Sequence, residues 1–159
     1  MTAGRLFGGL GLLCLVAVAI ALLSQHGYGM QPCPWCVLQR LIFLAIALAC
    51  AVGLVWRSGA GRIAAASLGL LLALSGVAAA LWQHFRAAAS ASCNLTLADR
   101  IVSGWLHLDS LLPEVFSPRA NCAEAAVDLL GVPYDLWSVA LFALVALGML
   151  RALQRPSPG

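Results

Sequence analysis

Four apolar stretches, each approaching the roughly 20 residues that a helix needs to cross a hydrocarbon core, constrain this chain more than any other feature. They cover residues 6–23, 37–56, 63–82 and 136–150. The first and third carry no charge, and the second carries only Arg40, near its start. A bilayer core offers no water to exposed N–H and C=O groups, and a helix pairs them within its own segment. The 159 residues are 62% hydrophobic and 9% charged, against about 45–50% and about 25% in a soluble domain. So small a globule cannot hide that much apolar surface, and lipid has to solvate it. The expected fold class is an all-α membrane protein: a four-transmembrane-helix bundle in one integral membrane domain, residues 1–159.

Arg57, Ser58, Gly59, Ala60, Gly61 and Arg62 separate the second run from the third. So short a connector predicts a tight antiparallel pair of helices. The first run, flanked by Arg5, also has features of a signal peptide, but it is long for one and three more spans follow. With four spans, both termini and the 57–62 turn share one side. That side carries Arg5, Arg57, Arg62, Arg151 and Arg155 on short segments, which predicts that it is cytoplasmic. Arg86, Arg100 and Arg119 lie on the other side, as do all six acids (Asp99, Asp109, Glu114, Glu124, Asp128, Asp135). The nine basic residues are all Arg and scattered singly, so the net charge of +3 forms no patch for nucleic acid. Two segments are then periplasmic, about 24–35 and 83–133. In the longer one, Ile101, Trp105, Leu108 and Leu112 recur at helical spacing before Pro113. They predict a short amphipathic helix on the membrane surface, or one packed on the loop's own core.

There are six Cys. Cys14 and Cys50 fall inside spans, where a small, easily buried hydrophobe packs well. Cys33, Cys36, Cys93 and Cys122 all fall on the outer side, which in a bacterium is where disulfides persist. From residue type alone, structural staples remain open. A four-cysteine zinc site usually pairs one CxxC with another, and the spacing of Cys93 and Cys122 argues against it.

The first pair sits in Gln31-Pro32-Cys33-Pro34-Trp35-Cys36-Val37-Leu38-Gln39-Arg40. Pro34 suits a first helical turn, where its missing N–H would be unpaired anyway. Cys36 then meets the free N–H groups and positive dipole end of the second span, which favour a thiolate. Arg40, one turn on, shares that helix face about 6 Å further along the axis. A buried Arg costs about 2.5–3.5 kcal/mol at mid-bilayer and less where it can snorkel to an interface. Beyond snorkelling, it can hold a polar group in the outer membrane. A quinone head fits that description, because its carbonyl oxygens accept hydrogen bonds and gain negative charge on reduction.

These residues resemble the DsbB family. The resemblance spans nearly the whole chain: four spans, CPWC with Arg40 at its offset, a second Cys pair in the long loop, Cys122-Ala123-Glu124, then Leu130-Gly131 and Trp137 leading into the last span. It implies a thiol:quinone oxidoreductase of the bacterial inner membrane, both termini cytoplasmic, serving a periplasmic DsbA-type dithiol. The DsbA–DsbB–quinone relay is what keeps a bacterial periplasm oxidising. By resemblance, Cys33–Cys36 is the quinone-coupled disulfide, with Cys36 contacting quinone beside Arg40. Cys93–Cys122 is the loop disulfide, with Cys93 the sulfur attacked by the partner. The acceptor is quinone, ubiquinone rather than menaquinone. His84 resembles a family His near that quinone; by residue type alone it is an interfacial polar residue, as are His26 and His107. A membrane thiol reductant, a disulfide-stapled scaffold without catalysis, and a helper dedicated to one substrate are the rival readings.

Overall fold

The computed structural model describes residues 3–56, 58–87 and 97–154. Among them, four helices are long and apolar enough to cross a membrane. The first span is Ala3–Tyr28, the second Pro34–Val55, the third Gly59–Trp82 and the fourth Tyr134–Leu153. Each begins two to four residues before its apolar stretch, and the first and fourth also run past its end. The first stops at Gly29, whose φ of +67° suits glycine; there the Met30 N–H donates to the Ser24 carbonyl at 3.2 Å. Its 26 residues make a packed member of the bundle, with Phe7, Leu10, Cys14 and Val18 buried.

Arg57 lies outside the described residues. Just beyond it, Ser58 caps the third span, its Oγ accepting from the Gly61 N–H at 3.1 Å. Small residues let the spans approach closely, as membrane bundles require. A Cβ placed on Gly76 would stand 2.5 Å from the Phe142 ring, and one on Gly69 would stand 2.6 Å from Met149. Phe142 in turn stacks on Phe43, with ring centroids 3.9 Å apart. The four spans thus share one core, while Leu12, Leu23, Leu48, Leu71 and Leu147 point outward, into lipid.

The third span ends in a π-helical turn, Gln83–Ala87. The long loop resumes at Leu97 and departs from expectation. One amphipathic helix was predicted through Ile101–Leu112; the chain instead makes Leu97–Asp99, a π-helical stretch Arg100–Trp105, then Leu108–Leu111 and Pro113–Phe116. His107, with φ +47°, is in the left-handed region and turns the chain between them. Ala98, Val102 and Phe116 are buried under this loop, while Trp105, Leu106, Leu111 and Leu112 are exposed. Its apolar face is therefore built from several short turns. A two-residue ribbon, Asp128–Leu129 against Val132–Pro133, leads into the fourth span.

Candidate active site

Cys33 caps the second span. Its backbone is extended (φ −85°, ψ 167°) and its Sγ accepts from the Cys36 N–H at 3.3 Å. Pro34 takes the first helical turn. One turn of helix then brings the Cys33 and Cys36 sulfurs to 2.8 Å.

Cys122 arrives from the far end of the long loop. The Arg119 and Ala120 N–H groups donate to the Pro32 carbonyl at 2.9 and 3.3 Å, pinning the loop to the approach of the second span. The next turn closes on itself: the Asn121 N–H donates to Glu124 Oε2 at 3.2 Å, and the Glu124 N–H to Asn121 Oδ1 at 2.9 Å. This is the reciprocal pattern of a capping box. Cys122 sits inside that turn, fully buried, and hydrogen-bonds Cys33. Those hydrogen bonds, to Cys122 first and Cys36 second, and then burial, push the Cys33 thiol up from its ordinary pKa. Cys122, Cys33 and Cys36 thus form a row of three sulfurs. Cys93 lies outside the described residues.

The row ends at a cavity. The Gln83 Nε2–H donates to Cys36 Sγ at 3.4 Å, and Gln83 Oε1 accepts from Gln39 Nε2–H at 2.7 Å. Cys36, Gln39, Arg40, Gln83, Tyr134 and Asp135 line one part of a cavity of about 290 Å³; Ala17, Val18, Ile20, Phe43 and Leu141 supply apolar wall. Polar groups gathered in an apolar cleft are the usual form of a small-molecule site. Arg40 is only 6% exposed. Its Nη1 donates to Gln25 Oε1 at 2.7 Å and to the Val115 carbonyl at 3.0 Å, and its Nη2 to the Ala21 carbonyl at 3.3 Å. The guanidinium therefore ties the second span to the first and to the loop while bordering the cavity.

Residues 4–152 match the family described as Disulfide bond formation protein DsbB. The chain belongs to the DsbB family. It is 34% identical over 158 residues to Disulfide bond formation protein B of Aromatoleum aromaticum, covering 97% of this chain and 94% of that relative. With Disulfide bond formation protein B 2 of Pseudomonas aeruginosa it shares 37% over 140 residues, 84% of this chain and 80% of the other. With protein B 1 of Pseudomonas savastanoi the figure is 35% over 140 residues, 86% and 81% of the two chains. Membership of the DsbB family makes the chain a multi-pass membrane protein and a disulfide-forming oxidoreductase.

Within this DsbB-family fold, Cys33, Cys36, Cys122 and Arg40 come together where the first span ends and the second begins. His84 does not line the cavity; its Nδ1 lies 3.1 Å from Asp135 Oδ2, and Asp135 lies between it and the cleft. His26 is exposed beside Glu114, at 3.8 Å. Cys14 and Cys50 are buried, and Gly11 makes room for Cys50, whose Cβ would stand 3.1 Å from a Cβ placed there. Sequence reasoning passed over Gln25, Gln39, Gln83 and Asp135. The available signal was polarity: Gln39 interrupts an apolar run, and Asp135 stands in the first turn of a span.

Proposed function

We propose that this chain is a thiol:quinone oxidoreductase, which reoxidises a DsbA-type periplasmic dithiol and passes the electrons to a membrane quinone. The observation that carries this reading is the row Cys122–Cys33–Cys36, because it links the long loop to a cleft opening among the spans. Ubiquinone rather than menaquinone remains the proposed acceptor. The residues present fit such a group: apolar walls for a ring and tail, with N–H donors on Gln39, Arg40 and Gln83 for carbonyl oxygens. Bound quinone supplies a lipid-soluble acceptor for two electrons and two protons.

The sulfurs do the rest. A partner thiolate attacks Cys93 of the Cys93–Cys122 disulfide, and Cys122 leaves as a thiolate. The partner's second thiolate resolves that mixed disulfide and departs oxidised. Cys122 then attacks Cys33 of the Cys33–Cys36 disulfide and expels Cys36, after which Cys93 attacks Cys122 and expels Cys33. The loop disulfide is restored, and two electrons rest on Cys33 and Cys36. Cys36 is left facing the cavity with the Gln83 donor on its sulfur. A DsbA-type dithiol sits near −120 mV, far above the glutathione poise, so its oxidation needs an acceptor as strong as quinone. On this reading the sulfurs lie on the periplasmic side of the bacterial inner membrane, with both termini cytoplasmic.

Turnover tests it directly. Purified protein, reduced partner and ubiquinone or menaquinone are mixed in parallel, and quinone absorbance is followed. Partner-dependent loss of quinone, faster with ubiquinone, is expected. Absence of thiol-dependent quinone reduction with either would remove the proposal.

A further inference from the structure

We propose that His84 and Asp135 form a proton path from the outer surface to the cavity beside Cys36. This deepens the functional reading above and rests on it. His84 stands in the π-helical turn that ends the third span, its side chain 29% exposed. Its Nδ1 lies 3.1 Å from Asp135 Oδ2. Asp135, in the first turn of the fourth span, is 8% exposed and lines the cavity. Its other oxygen, Oδ1, is buried with no hydrogen-bond partner among the described residues.

That orphan oxygen is the informative feature. Buried polar atoms are almost always paired, and an exception calls for an explanation. A span's N-terminus favours a carboxylate, and His84 satisfies one oxygen, but nothing among the described residues satisfies the second. A proton on Oδ1, or a donor arriving in the cleft, completes it. Asp135 is thereby a group that alternates between carrying and releasing a proton at the cavity wall.

The chemistry needs such a group. Overall, two thiols and a quinone give a disulfide and a quinol, so two electrons and two protons move together. The electrons leave sulfur at the cavity, whereas the partner's thiols shed their protons into water. Protons therefore have to re-enter a largely apolar cleft. The other titratable groups facing it are Cys36 and Arg40 on the second span and Tyr134 on the fourth; the first span contributes none to the lining. Cys36 is the electron donor, Arg40 keeps its proton and the Tyr134 phenol is too weak an acid to relay protons. Asp135 remains, with water reached through the partly exposed His84 imidazole. Asp135 gives up a proton toward the cavity; His84 takes a proton from water on Nε2 and, as the imidazolium, passes its Nδ1 proton to Oδ2; the carboxyl then turns to bring that proton to the cavity face, and exchange with water returns the ring to its Nδ1–H form.

The rival account is a staple holding the third span to the fourth. Asp135→Asn separates the two, since the amide keeps the shape and accepts from His84 but carries no exchangeable acid proton. Infrared spectra of the quinone-free protein, recorded across pH, should show a titrating carboxylic-acid band that Asp135→Asn removes and His84→Gln shifts. With reduced partner and ubiquinone, Asp135→Asn should reduce quinone about 100-fold more slowly at neutral pH, with a flattened pH profile and unchanged thermal stability. Asp135→Glu should restore much of the rate. An Asp135→Asn protein with the wild-type rate, pH profile and infrared spectrum overturns the path while leaving the functional reading intact. A wild-type protein that reduces no quinone overturns that reading and the path with it.

Discussion

At the scale of single residues, Cys33 caps a helix and is also proposed as a redox thiol. Its raised pKa has a direct consequence, because the thiolate is the species that alkylates. In the reduced protein Cys33 should label more slowly than an ordinary thiol at neutral pH, and should need a pH well above the usual range near 8.5 to react. Cys122→Ala removes the first cause of the shift, so the labelling curve should move to lower pH; mass spectrometry of a pH series reads both. A Cys33 that labels like a free thiol in both proteins contradicts the geometry. Arg40 is equally particular. Replacing it with Met leaves Gln25 Oε1 and the Val115 carbonyl without the donors they have now, which should destabilise the protein by about 3 kcal/mol. Lys should recover only part, lacking a planar fork of donors. Denaturation in detergent micelles measures both. Leu130 is a third case: non-glycine, φ +57° and 87% exposed, it precedes Gly131 in the ribbon turn. Leu130→Asn should raise stability by about 1 kcal/mol, because Asn-Gly suits two successive left-handed residues.

Among the elements, the third span is the most constrained. Its buried face is Ala65, Ala66, Gly69, Ala73, Gly76, Ala79 and Ala80, and Phe142 and Met149 fill the space these leave. Gly76→Val should cost roughly 1–3 kcal/mol through overpacking, with a lowered midpoint of thermal unfolding; an unchanged midpoint would place Phe142 elsewhere. The spans themselves could be anticipated because a bilayer demands a plain signal, a long and almost wholly apolar run. The loop helix could not. A stripe at 3.6-residue spacing assumes an unbroken α-helix, whereas Arg100–Trp105 winds more widely and His107 reverses handedness. Ile101 and Leu108 pack against the core and Trp105 stays out, so tertiary burial overrode the local period.

For the molecule as a whole, the distribution of Arg predicts where the ends lie. Reporters fused to either terminus should both be active in the cytoplasm, and one active only in the periplasm would reverse the proposed orientation. The contact between loop and span predicts a crosslink. With Cys36→Ser and Cys93→Ser combined, Cys33 and Cys122 should oxidise to a disulfide, visible as a mobility shift that reductant abolishes. Failure to form it would mean that the turn at Asn121–Glu124 does not hold Cys122 beside Cys33.

Periodic burial in lipid and the chemistry of a helix start are local matters. Composition and order alone were enough to foresee four spans and to give CPWC the opening turn of the second. The row of sulfurs is different. Cys122 reaches Cys33 because two loop N–H groups find the Pro32 carbonyl, and His84 reaches Asp135 because two spans end side by side. Both contacts join residues distant along the chain, and no pattern of neighbours encodes them. They arise only once apolar faces have packed and polar groups left at the rim must find partners.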